Sequence, residues 1–208
     1  MKKNILSVIL MIIFAITHIN ANAYPGFEEN KKACERNDPK ACNELGGMYD
    51  YFGLTMYANH ERIPIDYYKA AKYYKKACDL GNASGCGNLA FLYTTSKIID
   101  KENGITLDHF KANKYKRRGC DLGNGSTCTG LGVSYSEGSG VKQNYIKANE
   151  MFYLGCKLGD YLGCYFLGMA YKEGKGVKQD YMKAKKLFGI SCDMEFELGC
   201  KEYAILNK

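Results

Sequence analysis

Ten cysteines are the residues of this chain best equipped for chemistry, and they fall into five pairs of one spacing: Cys34 and Cys42, Cys78 and Cys86, Cys120 and Cys128, Cys156 and Cys164, Cys192 and Cys200. Thiols in such numbers either oxidise to disulfides or bind metal. Zinc sites favour cysteines two to four apart or mixed with histidine. These are eight apart, and beyond residue 23 the chain holds only His60 and His109. No metal and no cofactor is expected. The uniform spacing argues for local disulfides within each pair. Eight steps of continuous helix would separate the two α-carbons by about 12 Å, beyond the roughly 7 Å a disulfide tolerates. The chain must therefore reverse inside every pair.

A second string with chemical meaning is Ser139-Gly140-Val141-Lys142, which fits the Ser-x-x-Lys of serine beta-lactamases. Its counterpart one repeat later, Lys175-Gly176-Val177-Lys178, has no serine, and no Lys-Thr-Gly follows. Tyr57-Ala58-Asn59 resembles another element of such enzymes but lies upstream, in the wrong order. Both strings read as chance matches, and no catalytic residue is named. Phosphate-loop and dinucleotide fingerprints are absent from the sequence.

The cysteine pairs mark a joint that recurs. First members of successive pairs are separated by 44, 42, 36 and 36 residues. The last two units share the string Leu-Gly-x-x-Tyr-x-Glu-Gly-x-Gly-Val-Lys-Gln, from Leu131 and from Leu167, followed by Asn144-Tyr145-x-Lys147-Ala148 and Asp180-Tyr181-x-Lys183-Ala184. Earlier units keep Leu45-Gly46-x-x-Tyr49 with Asp66-Tyr67-x-Lys69-Ala70, and Leu89-Ala90-x-x-Tyr93 with Asp108-His109-x-Lys111-Ala112. Such periods signal helical solenoids. The extra residues of the first two units fall in one loop type, between tyrosine and Asp.

Each unit reads as two helices. The first starts near the second cysteine of a pair and carries leucine, a small residue and tyrosine on one face. Gly138 and Gly140, or Gly174 and Gly176, stop it, since glycine readily takes the left-handed conformation that ends helices. The second opens at Asp66, Asp108, Asn144 or Asp180, whose side-chain oxygens suit the free donors of a first turn. Gly81-Asn82, Gly123-Asn124 and Gly159-Asp160 supply turn chemistry at three joints, while the first and last joints are less orthodox. Units run over about 41–84, 85–126, 127–162 and 163–198. Residues 27–37 look like a lone second helix and 200–206 like a lone first helix, capping a single domain. A monomer is expected.

Lys2 and Lys3, an apolar run from Ile5 to Ile16 and Ala21-Asn22-Ala23 read as a signal peptide over 1–23, leaving a mature chain of 24–208. The run is shorter than the roughly 20 residues that span a bilayer. Export to the periplasm or beyond explains the cysteines, because disulfides persist in oxidising compartments. The formal charge is +7, but 29 Lys and Arg are interspersed with 22 Asp and Glu, so neither nucleic acid nor a membrane is expected as partner. Of 18 tyrosines, Tyr49, Tyr93, Tyr135 and Tyr171 fall on the packing stripe. Tyr67, Tyr145 and Tyr181 recur in the second helix and are read as core.

The Leu-Gly-x-x-Tyr, Gly-x-Gly-Val-x-x-Asp-Tyr and Lys-Ala pattern resembles Sel1-like repeats. The Cys-x7-Cys pairs further resemble the secreted Helicobacter cysteine-rich proteins, also described as Hcp-type beta-lactamases. The likeness covers about residues 27–206; its departures are the two loop insertions, Gly46-Gly47, and Ala90 at the usual glycine. It implies an all-α, right-handed solenoid of antiparallel helix pairs, related to TPR repeats, whose concave face binds partners. For some members it implies penicillin binding and slow beta-lactam hydrolysis.

Two readings of function follow. As a scaffold, the chain would use the face of each first helix opposite the leucine stripe: Asn43, Gly47 and Asp50; Gly87, Phe91 and Thr94; Thr129, Val133 and Ser136; Tyr165, Met169 and Lys172. Repeat proteins recruit such surfaces, and the ligand would be a protein, a peptide or a peptidoglycan-related molecule. The alternative, carried by the resemblance, is a slow beta-lactamase acting on beta-lactams through residues the sequence does not name.

Overall fold

The computed structural model describes residues 26–50, 65–95 and 106–207. Among them run ten helices and no strand: α1 (Phe27–Glu35), α2 (Pro39–Tyr49), α3 (Tyr67–Asp79), α4 (Ala83–Thr94), α5 (His109–Asp121), α6 (Gly125–Glu137), α7 (Tyr145–Lys157), α8 (Tyr161–Glu173), α9 (Tyr181–Asp193) and α10 (Glu197–Ile205). Each helix packs on the next in sequence, and α2 also touches α4 and α6 touches α8. The result is an all-helical solenoid. None of the described helices is long and apolar enough to cross a membrane. The expected signal segment, both loop insertions and Tyr57-Ala58-Asn59 lie outside the described residues.

The second helices begin where short polar side chains invite them. Asp66, Asp108, Asn144 and Asp180 accept from the backbone N–H of Lys69, Lys111, Lys147 and Lys183, at 2.9, 2.9, 3.0 and 2.9 Å. Each capping residue also donates its own N–H to the carbonyl of Tyr49, Tyr93, Tyr135 or Tyr171, at 2.8 to 2.9 Å. This bond closes the loop identically whether the loop is long or short, so insertions are absorbed without shifting the helices. The lysine then lies over that tyrosine ring, 5.1 to 5.7 Å from its centre. One local unit thus fixes the mouth of every hairpin.

At the other end, five disulfides close the joints between α1 and α2, α3 and α4, α5 and α6, α7 and α8, and α9 and α10, with α-carbons 4.5 to 4.6 Å apart. The reversal is a left-handed residue after each second helix: Gly81, Gly123 and Gly159, with φ of 90°, 87° and 82°. At the two unorthodox joints, Asn37 and Glu195 adopt the same conformation, with φ of 66° and 64°. In all five the next N–H bonds back to the carbonyl five residues before it, as in Asn82 to Ala77 at 2.9 Å, satisfying helix-end groups that would otherwise be orphaned. Glu195 follows the rule without the residue that makes it easy.

Inside the hairpins, Leu45, Leu89, Leu131 and Leu167 are buried. The small residue after each leucine is there because a ring lies against it. A Cβ at Gly46, Gly132 or Gly168 would come within 2.6, 2.6 or 2.8 Å of Tyr74, Phe152 or Phe188. Ala90 departs from this pattern because its partner does: α5 presents Lys116 where α3, α7 and α9 present an aromatic ring. One expectation is corrected. Tyr145 and Tyr181 are exposed rather than core, because they open helices at the rim. Their hydroxyls accept from Gln143 and Gln179 at 3.1 and 2.9 Å.

Successive repeats are locked by the glycine loop. Asn113 and Asn149 are buried and donate their amides to the carbonyls of Ser139 and Lys175, in the next loop, at 2.7 and 2.8 Å. That loop approaches so closely that a Cβ at Gly140 or Gly176 would meet the backbone of His109 or Tyr145.

Candidate functional site

The first helices turn one face toward the interior of their hairpins and leave the other to line the solenoid's inner surface. Between α4 and α6 this surface opens into a groove of about 520 Å³. Ser84, Gly87, Asn88, Phe91 and Thr94 form one wall. Asn124, Ser126, Thr127 and Gly130 form the other, with Lys116 entering from α5 and Asp50 from the end of α2. Phe91 is 56% exposed, so a large apolar ring stands open in the groove. Asn88 donates to Asn43 at 3.0 Å and fixes the edge toward α2.

A lysine lines the groove at the position where the other second helices carry a ring. The Lys116 stem runs over Gly130, against which a Cβ would make only ordinary contact at 3.7 Å. Its ammonium donates to Ser134 Oγ at 3.0 Å and to the Gly130 carbonyl at 3.3 Å. Burial holds its pKa below the usual lysine range, and the attraction of Glu137 only partly offsets this. At the edge, the buried Tyr74 hydroxyl donates to the Asp50 carboxylate. Its pKa is raised, first by burial and then by that hydrogen bond.

The expected face residues are distributed unevenly. Gly87, Phe91, Thr94 and Asp50 line the groove, although Asp50 is itself buried against Tyr74. Asn43 borders it through Asn88. Thr129 is 3% exposed, packed where Gly155 and Gly163 admit it, and so is a packing residue instead of a surface one. Ser136 donates to the Val133 carbonyl in its own helix at 2.9 Å; Val133 packs at the edge of the Ala148, Phe152 and Leu167 cluster. At the far end α10 engages the remaining residues. Tyr165 meets Phe196 edge-on at 5.2 Å, and Lys172 pairs with Glu202 at 2.5 Å. Met169 is half-buried.

A groove between neighbouring helices has two walls drawn from different faces. Counting positions from each cysteine found part of the wall on α4 but missed the facing wall on α6, where Thr127 and Gly130 stand two and three residues before the expected Thr129 and Val133, and missed Lys116. The signal for Lys116 was present: it aligns with Tyr74, Phe152 and Phe188, and it departs together with Ala90.

Ser139 is not arranged as a nucleophile. Its hydroxyl donates to Glu137 at 3.3 Å, and no hydrogen bond joins it to Lys142. Among the described residues no cluster of His, Cys, Asp and Glu could hold a metal ion.

The model of the Sel1 repeat family matches residues 39–82, 126–160 and 162–196. No curated protein matches significantly. Among solved structures, a Sel1 repeat protein from Oxalobacter formigenes is similar over 85% of this chain and 66% of its own, at 24% identity and a TM-score of 0.71. A protective antigen of uropathogenic Escherichia coli is similar over 82% of this chain and 33% of its own, at 28% identity and a TM-score of 0.69. Cysteine-rich protein B of Helicobacter pylori is similar over 64% of this chain and 91% of its own, at 33% identity and a TM-score of 0.50. The chain thus spans about two thirds and one third of the length of the first two.

Proposed function

The chain belongs to the Sel1 repeat family, and from that premise we propose that it is an exported, disulfide-stapled scaffold that binds a protein or peptide on its inner face. The observation that carries this reading is the groove between α4 and α6 with Phe91 open in it. Exposed aromatic anchors in concave surroundings are where binding energy concentrates. The five bridges hold the hairpins without a partner, so the face is organised before binding and little ordering cost is left to offset. Disulfides in every joint suit an oxidising compartment, which agrees with cleavage of residues 1–23 as a signal peptide and with residence in the periplasm or outside the cell.

The test is affinity capture by the oxidised protein from periplasmic and external fractions, with two matched variants. Phe91→Glu places a charge in the groove; Phe110→Glu places one on a residue 75% exposed elsewhere. A partner lost with the first and kept with the second supports the reading. Equal effects of the two refute the choice of face. The second reading, beta-lactam hydrolysis, rests on the likeness to the Helicobacter cysteine-rich protein. Opening of a chromogenic cephalosporin well above buffer supports it, and loss of that turnover in Ser139→Ala would make Ser139 its nucleophile.

A further inference from the structure

Lys116 holds a charge where this architecture otherwise buries a ring. Its neighbours in the other repeats, Tyr74 and Phe188, are fully buried, and Phe152 nearly so. A cation brought into such surroundings needs a counter-charge, because burying it unpaired is costly. Glu137 attracts it and offsets the burial only in part, without closing an ion pair. The two groups that accept from its ammonium, Ser134 Oγ and the Gly130 carbonyl, are neutral. None of the ion pairs among the described residues includes Lys116. An ammonium has three donors, and the third is unassigned on a side chain that lines an open groove.

The rest of the wall is compatible with a single negative group. Asn124, Ser126 and Thr127 bring the first turn of α6, a thirteen-residue helix, to the same groove. Helix N-termini favour negative charge. The groove is only partly enclosed, which suits a side chain reaching in from a segment lying across it. Phe91 offers that segment an apolar contact, and the Asn88 amide offers a polar one.

We infer that the groove between α4 and α6 receives an Asp or Glu side chain of a partner peptide, paired with the Lys116 ammonium. The inference rests on the scaffold reading and adds the chemistry of the occupant. It also explains why the aromatic-glycine pair of the other repeats is abandoned here: packing is given up for a recognition charge.

A random dodecapeptide library displayed on phage tests this, selected separately against oxidised wild type, Lys116→Met and Lys116→Arg, each first shown to keep wild-type helicity. Wild type and Lys116→Arg should enrich peptides with one Asp or Glu at a fixed distance from an apolar residue. Lys116→Met should keep the apolar preference and lose the acidic one. For a selected peptide, replacing its acidic residue by the amide should weaken binding to wild type about tenfold or more, the scale of a charge-assisted hydrogen bond. It should leave binding to Lys116→Met unchanged. Apolar selection without acidic enrichment, or acidic enrichment that survives in Lys116→Met, overturns the inference and leaves the scaffold standing. Failure to select any peptide overturns the inference and leaves a folded protein as the scaffold's partner. Displacement of a selected peptide by soluble peptidoglycan fragments, at concentrations below the peptide's own dissociation constant, assigns the groove to the cell wall and overturns the inference too.

Discussion

Two glycines in α6, two residues apart, should respond to the same substitution with opposite signs. Gly130→Ala and Gly132→Ala each replace glycine within a helix, which alone stabilises by up to about 1 kcal/mol. At Gly130 the new methyl meets only the Lys116 stem, at 3.7 Å, an ordinary contact. That variant should gain most of the propensity term. At Gly132 the methyl would stand 2.6 and 2.7 Å from Phe152 ring carbons and 3.0 Å from the Ala148 carbonyl. Neither can step aside. Ala148 is backbone, and the Phe152 ring is backed by Phe166, 5.2 Å away centre to centre, and by Leu167. Overpacking of this kind costs about 1–3 kcal/mol. Setting that against the propensity gain leaves Gly132→Ala less stable than wild type by up to about 2 kcal/mol. At roughly 2–4 °C per kcal/mol for a chain of this size, its melting temperature should drop by up to about 8 °C while that of Gly130→Ala rises by up to about 4 °C. Thermal unfolding followed by circular dichroism, with disulfides intact, measures both. Equal melting temperatures for the two variants would show that the ring does not hold the glycine, and the packing account of the Leu-Gly pair would fail.

Replacing Glu195 by glycine should stabilise by up to about 1 kcal/mol, because the left-handed conformation at φ 64° is unfavourable for a residue with a side chain; urea denaturation reads the gain, and a loss of stability refutes it. Removing the Cys156–Cys164 bridge by a double serine substitution should cost about 2.6 kcal/mol on the chain-entropy model, a fall of roughly 5–10 °C in melting temperature. An unchanged melt would mean that the joint is held by packing alone. Lys116→Met gives a pH signature. The folded-state pKa of Lys116 is lowered by burial, so the unfolded chain binds the proton more tightly. Its charged form therefore opposes folding at neutral pH, and the penalty fades as pH rises through the folded value toward the ordinary 10.5. Lys116→Met should be the more stable protein at pH 7, with a melting-temperature gap that narrows by pH 10. A gap independent of pH would remove the desolvated charge from the account.

Much of this architecture was legible because it is built from local rules. A pair of cysteines eight apart cannot bridge along a helix, so spacing alone required a reversal, and the reversal is there in all five joints. Asp66, Asp108, Asn144 and Asp180 mark helix starts because a short oxygen satisfies donors within three residues. Even the long and short loops could be told apart from the helices they join, since a tyrosine and an Asp or Asn bracket the loop in each repeat.

The site was less legible, and for a physical reason. Which side of a helix meets solvent depends on the helices beside it, so Thr129, read as surface, is buried against Gly155 of its own repeat and Gly163 of the next, and Lys172 is taken by Glu202 from the last helix. The groove needs two walls and a lysine that arrives from a third helix. Covalent chemistry and local backbone bonding set the repeats, the joints and the helix ends from the order of residues alone. The distance between α4 and α6, and the charge held there without an ion pair, arise only when separate repeats pack together.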